Sequence, residues 1–252
     1  MLMHSAYSRR HQPDLRREPN RMTVTALALR TNATFLASTV GRKIVMAVTG
    51  VVLAGFVFAH MVGNMQLYLG PEALNHYAVF LRTFLHGGGI WLFRAVMIGA
   101  AGLHVWAATT LTLDGWAARP QGYRLWQAKE STYASRTMRW GGVMLALFLT
   151  YHILHLTVGS SHGSFEEGNV YHNVVAGFQV WYVSAVYIAA MLMLGLHLDH
   201  GIWSLCQTLG LQHPRYKRAV RLLARAYAIV VVAGNISFPI AVLTGVVKEV
   251  AR

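Results

Sequence analysis

Five stretches of this chain, residues 44–69, 90–113, 140–158, 175–198 and 222–247, are long and almost wholly apolar. About 20 such residues are needed for a helix to cross the hydrocarbon core of a bilayer. Inside that core every backbone N–H and C=O needs an internal partner, which leaves only helices and closed barrels. Barrel strands alternate apolar and polar residues, and these stretches do not. The expected fold is an all-α membrane protein of five transmembrane helices, occupying residues 41–252 behind a basic arm at residues 1–40. Charged residues make up 12% of the chain, about half the share usual in soluble domains.

The net charge of +13 does not form a nucleic-acid patch, because the basic residues lie between the apolar stretches. The arm carries Arg9, Arg10, Arg16, Arg17 and Arg21 and leads to Arg42 and Lys43. It has no apolar run ending in a small-residue cleavage site, so it reads as a cytoplasmic arm, disordered or partner-bound, and not as a signal peptide. The second connection holds Arg119, Arg124, Lys129, Arg136 and Arg139, and the fourth holds Arg215, Lys217, Arg218, Arg221 and Arg225. In contrast, the first has Arg82, with Arg94 just beyond, and the third has Glu166 and Glu167 with no Lys or Arg. Cytoplasmic loops collect Lys and Arg. That rule places the N-terminus and the even connections in the cytoplasm and the C-terminus outside the cell inner membrane. The single cysteine, Cys206, allows neither a disulfide nor a thiolate cluster within this chain.

Four of the apolar stretches each contain a histidine. His60, His104, His152 and His197 recur 44, 48 and 45 residues apart. An ionisable side chain inside a membrane is costly and marks a functional site by default. Imidazole is an axial ligand of haem iron, and bundle interiors house such sites. Counted along the helices, His60 and His152 lie toward the outer side. His104 lies toward the inner side, and His197 falls near the inner end of the fourth stretch. Depth alone therefore pairs the first helix with the third and the second with the fourth, as two bis-histidine haems in a four-helix bundle would require. Gly50, Gly55, Gly63, Gly99, Gly102, Gly141, Gly142 and Gly195 offer small surfaces nearby, though small residues also serve plain helix packing. Spacing leaves two ambiguities, because His155 shares a helix face with His152 and His200 shares one with His197. In the last helix Pro239 predicts a kink.

The segments Phe58-Ala-His60-Met-Val-Gly-Asn64 and Gly70-Pro-Glu72-Ala-Leu-Asn75 carry a family resemblance, as does Arg139-Trp-Gly-Gly running on to Phe148-Leu-Thr-Tyr-His152. So does His197-Leu-Asp-His-Gly201-Ile-Trp203-Ser204. In order and spacing they resemble the cytochrome b subunit of succinate:quinone oxidoreductases, the two-haem cytochrome b558 type. That family includes menaquinone-linked succinate dehydrogenases and fumarate reductases, and the resemblance spans roughly residues 40–250.

The resemblance implies two haem b, the distal one held by His60 and His152 and the proximal one by His104 and His197. It prefers His152 to His155 and His197 to His200, which leaves His155 and His200 for propionates, quinone or backbone carbonyls. Arg42, Lys43, Arg94 and Arg139 flank the haem-bearing helices and suit propionates or simple topology equally well. The implied partners are a flavoprotein with FAD and an iron–sulfur subunit on the cytoplasmic face, with a quinone, menaquinone by expectation, as substrate. A quinone site would lie in the first connection, where Glu72, His76 and Arg82 are the candidates. Two other readings fit the same composition: a haem b anchor of a hydrogenase, formate dehydrogenase or b561-like reductase, and a proton-coupled transporter. The transporter reading lacks an inverted repeat and an intramembrane acidic pair.

Overall fold

The computed structural model describes residues 35–118, 132–211 and 213–249. Most of the arm, with Arg9, Arg10, Arg16, Arg17 and Arg21, and the stretch holding Arg119, Arg124 and Lys129 lie outside the described residues. The chain divides into two units at Arg42. In the first unit Ser38 Oγ donates to Phe35 O and accepts from the Gly41 N–H, which caps the turn leading into the first helix.

Five helices are long and apolar enough to cross a membrane, and the described residues contain no strand. The chain is thus an all-helical, multi-pass membrane protein. Helix α1 (Thr39–Asn64) tightens into a 3₁₀ turn at Met65–Leu69. Helix α2 (Pro71–Thr83) follows, and a turn at Phe84–Gly87 leads into α3 (Gly88–Ala117). Helix α4 (Tyr133–Ile153) widens into a π turn at Leu154–Val158. Then come α5 (Val170–Gln179), α6 (Trp181–Thr208) and α7 (Pro214–Leu243).

The first connection, residues 70–89, is mostly helical, since α2 fills the larger part of it. Gly70 at φ 100° turns the chain, and Pro71 opens the helix with its φ already helical and no N–H to satisfy. Glu72 sits in the first turn and Arg82 in the last, each favourable to the helix dipole. The fourth apolar stretch is corrected. It breaks at Val180, whose backbone is extended (ψ 105°). Ser184 closes the break by donating its hydroxyl to Phe178 O at 2.7 Å. Helix α6 therefore starts at Trp181 and runs on through Asp199 and His200 to Thr208.

Two apolar clusters hold the helices together. The larger gathers Met61, Leu67, Val175, Phe178, Tyr187 and Phe238 at the end of the bundle bearing α2 and α5. The smaller sets Leu198 against Ala228 and Val231, with Ala54 and Tyr227 packed on it. Tyr227 donates to Ala54 O at 2.6 Å, tying α7 to α1. Pro239 is fully buried inside α7, which remains one helix through it.

The glycines divide by role. At Gly195 a Cβ would stand 2.6 Å from Val232 Cγ2, and at Gly63 2.6 Å from the Tyr77 hydroxyl, so these two let elements approach closely. Val232 is β-branched and stiff at χ1, so Gly195→Val should force α6 and α7 apart. The expected loss is about 1–3 kcal/mol, read as a lowered melting temperature in detergent; an unchanged melting point would show that the seam is plastic.

Candidate functional site: two histidine pairs

The four intramembrane histidines meet as two pairs. His60, four residues before the end of α1, stands against His152, one residue before the end of α4. Their ring centroids are 5.9 Å apart and the ring planes cross at 88°. His104 on α3 stands against His197 on α6 at 6.2 Å and 57°. Each of the latter lies 16 residues from the first residue of its helix, Gly88 or Trp181. Since α3 and α6 start from the same side, the two are level. His197 is therefore well inside α6 and not near its end, a correction that follows from the helix running on to Thr208.

The pairs occupy two depths. Thr49 Oγ1 lies 3.1 Å from His104 Nδ1. His60 follows Thr49 by 11 residues on the same helix, which is about 16 Å of rise.

Hydrogen bonding fixes which ring nitrogen is available. The Thr49 hydroxyl proton is committed to Val45 O at 2.7 Å, so its oxygen accepts from His104 Nδ1–H. The neutral ring then carries its lone pair on Nε2. His152 Nδ1 lies 3.3 Å from the Tyr187 hydroxyl, and its Nε2 is left over in the same way. His197 Nδ1 is buried with no partner among the described residues. His60 differs, because the Asn64 amide donates to its Nε2 at 3.1 Å. A metal at that nitrogen requires the Asn64 side chain to turn away.

With metal–nitrogen bonds of about 2 Å on each side, two trans imidazoles place their ring centroids about 6 Å apart. Both pairs have that separation. Among the described residues no three of His, Cys, Asp and Glu gather as a protein cage for a metal ion. A donor set of two opposed imidazoles suits an iron whose other four ligands come from a macrocycle. At Gly55, Gly99, Gly102 and Gly142 a Cβ would meet no atom within 4 Å, and at Gly50 it would meet His104 Cε1 at 3.5 Å. Gly55, Gly99 and Gly102 are exposed and Gly142 is half-buried, so these four leave open space beside the helices.

His155 and His200 stand outside the pairs. The π turn carries His155 into a buried stack between Tyr151 (5.3 Å) and His162 (4.8 Å). Its Nδ1 lies 3.0 Å from the Tyr187 hydroxyl. Only Gly177 tolerates the ring, since a Cβ there would stand 2.8 Å from His155 Cε1. His200 lies in the field of Asp199 and Arg221. The flanking cations find aromatic neighbours: Arg94 lies 4.9 Å from the Trp91 centroid and Arg139 5.4 Å from that of Trp116. Lys43 is exposed. Arg42, within the first unit, donates to Ala37 O at 2.8 Å. Glu72, His76 and Arg82 are all exposed on α2, and no hydrogen bond or ion pair among the described residues joins them.

Sequence reasoning did not single out Thr49, Tyr187, His162 or Asn173. Thr49 had a readable signal, a hydroxyl in an apolar run at the level of a partner histidine. Tyr187 had none, because its value depends on which face of α6 meets α4.

Past the π turn, a polar cluster closes the same end of the bundle. His172 on α5 gives Nε2–H to Ser164 O at 2.9 Å and Nδ1–H to the Glu249 carboxylate. The bond to Glu249 raises its pKa above the usual 6.5, with smaller support from Ser164 and Glu166 against the cost of burial. The folded state thus holds this proton more tightly than the unfolded chain. Its contribution is complete below about pH 6.5 and is lost as pH rises through the raised value. Glu249 is 41% exposed, so the effect is expected to stay within about 1 kcal/mol. Melting temperature should fall slightly between pH 6 and 9, and Glu249→Gln should flatten the slope. A slope unchanged in the variant would assign it to other groups.

A family model described as the succinate dehydrogenase/fumarate reductase transmembrane subunit matches residues 117–233. The match covers α4, α5, α6 and most of α7, and it includes His152 and His197. No curated protein and no solved structure matches the chain.

Proposed function

We propose that this chain, whose residues 117–233 match the succinate dehydrogenase/fumarate reductase transmembrane subunit family, is a member of that family and a dihaem cytochrome b anchor. It would link an iron–sulfur subunit to membrane quinone. The observation that supports this reading best is the pair of opposed imidazoles at each of two depths, 5.9 Å and 6.2 Å between centroids. His60 and His152 would hold one haem b, and His104 and His197 the other. When bound, the haems supply one-electron iron chemistry at two levels of the membrane.

The chain's own residues set the conditions for that chemistry. Thr49 orients His104, and Tyr187 orients His152, each by engaging Nδ1. Apolar helices keep water and ions from both levels. The excess of Lys and Arg in the second and fourth connections supports a cytoplasmic face there, where the FAD-bearing flavoprotein and the iron–sulfur subunit would dock. Quinone, menaquinone in this reading, would react near the opposite face beside the His60–His152 pair. Charge crossing between the faces couples to the membrane potential at about 2.3 kcal/mol per 100 mV.

The test is the haem b content of the purified complex, by pyridine haemochrome, together with succinate:quinone reductase activity. Two haems per chain with activity are expected; none would return the chain to a bare anchor. Glu72 is the candidate for proton exchange with quinone. Glu72→Gln is expected to slow quinone reduction severalfold with haem content intact, and an unchanged rate removes Glu72 from the site.

A further inference from the structure

Resting on the dihaem reading, we infer that Tyr187 is a positioning residue for His152: its phenol oxygen fixes the ring tautomer and sets the redox poise of iron bound there. The hydroxyl lies between two imidazoles, 3.3 Å from His152 Nδ1 and 3.0 Å from His155 Nδ1. It has one proton, so it donates to one ring and accepts from the other. Ligation through Nε2 requires the proton of neutral His152 to sit on Nδ1. With iron held there, the phenol oxygen would accept from His152 Nδ1–H and give its own proton to His155 Nδ1. That leaves the lone pair of His152 on Nε2. The opposite arrangement would put a proton on Nε2 and abolish ligation.

The ring of His155 is held in place from the far side. His162 Nε2–H donates to Asn173 O at 2.8 Å, and its Nδ1 accepts from the Ser164 N–H at 3.1 Å, so its tautomer is fixed. It stacks on His155 with the planes 23° apart. Tyr187 is itself held edge-on by Phe148 (5.0 Å) and Phe178 (4.9 Å) and is buried. The hydroxyl is thus a fixed acceptor, reached through packing that none of the four paired histidines provides. No equivalent serves His197, whose Nδ1 has no partner among the described residues.

An acceptor on the distal nitrogen makes a ligating imidazole more basic and stabilises the oxidised metal. Removing it should raise the midpoint potential of one haem and leave the other in place. The measurement is a redox titration of the intact complex carrying Tyr187→Phe, with haem content and the low-spin EPR signals followed alongside. The expected result is two haems per chain with one potential raised. A tenfold change in the reduced-to-oxidised ratio corresponds to about 59 mV for one electron. The EPR signal of that haem alone should move. Two haems with neither potential moved, or both moved equally, would overturn the role of Tyr187 and leave the dihaem reading standing. Fewer than two haems in the unsubstituted complex would overturn the reading beneath it. Should Tyr187→Phe assemble poorly, 3-fluorotyrosine at position 187 keeps the shape and weakens the acceptor. It should then give a smaller shift of the same sign, and no shift would count against the proposal.

Discussion

Replacing either His60 or His152 by alanine is expected to remove the same one of two haems, and replacing either His104 or His197 the other. The prediction comes from which rings face each other, at 5.9 Å and 6.2 Å, and not from the mere number of histidines. An iron held between two such rings would lose half of its protein ligation when one ring is gone. Haemochrome content should fall from two to one per chain in each single variant. It should stay at one in the His60/His152 double variant and fall to zero in His60/His104. Potentiometry identifies which haem survives. If His60→Ala and His104→Ala abolished the same redox transition, the pairing would be wrong even with the haem count right. His200→Ala should retain both, since His200 faces Asp199 and Arg221.

Much of that arrangement was legible in the chain. Five apolar stretches are enough to count the spans, because lipid admits no other solution for the backbone. The partners also follow from depth, since helices of alternating direction bring histidines at matched counts to one level. What hydropathy misses is where a helix ends, because it measures the lipid span and not the hydrogen-bonded element. Helix α4 begins at Tyr133, seven residues before the apolar stretch, because Thr132 caps it by accepting from the Ser135 N–H. Helix α7 begins at Pro214 for a similar reason, with the His213 side chain accepting from the Arg215 N–H. Helix α6 continues past its apolar stretch through Asp199 and His200 to Thr208, with Asp199 lying 4.0 Å from Arg225 of α7.

The choice between His152 and His155 shows what spacing alone leaves open. Three residues apart, they share a face by count, and on this backbone both reach Tyr187. Only the π turn at Leu154–Val158 and the glycine at 177 commit His155 to the stack with His162. Neither feature has a periodic signature. Gly70-Pro-Glu, by contrast, was a legible helix start inside a connection too polar to be counted as a span. Helix and membrane span are separate properties, and α2 has the first without the composition for the second.

Asn173→Leu is expected to open the segment between α4 and α5, at a cost of about 1–3 kcal/mol, chiefly from the backbone N–H of Glu166 that loses this acceptor. Asn173 is 3% exposed. Its amide donates to Glu166 O at 2.8 Å and its carbonyl accepts from the Glu166 N–H at 2.8 Å, so one side chain closes a seven-residue loop. Leucine fills nearly the same volume but offers the N–H no acceptor, while Glu166 O keeps the Asn169 N–H at 3.3 Å. Asn169 Oδ1 is itself engaged by Asn75 at 3.1 Å and by the His172 N–H at 3.2 Å. Hydrogen exchange over residues 162–173 should speed up by about 5- to 160-fold, the equivalent of that cost if opening is local. The backbone of Asn173 also receives the bond from His162, so a looser loop should loosen the His162 ring that stacks on His155. Unchanged exchange would show that the Glu166 N–H finds another acceptor when Asn173 is gone.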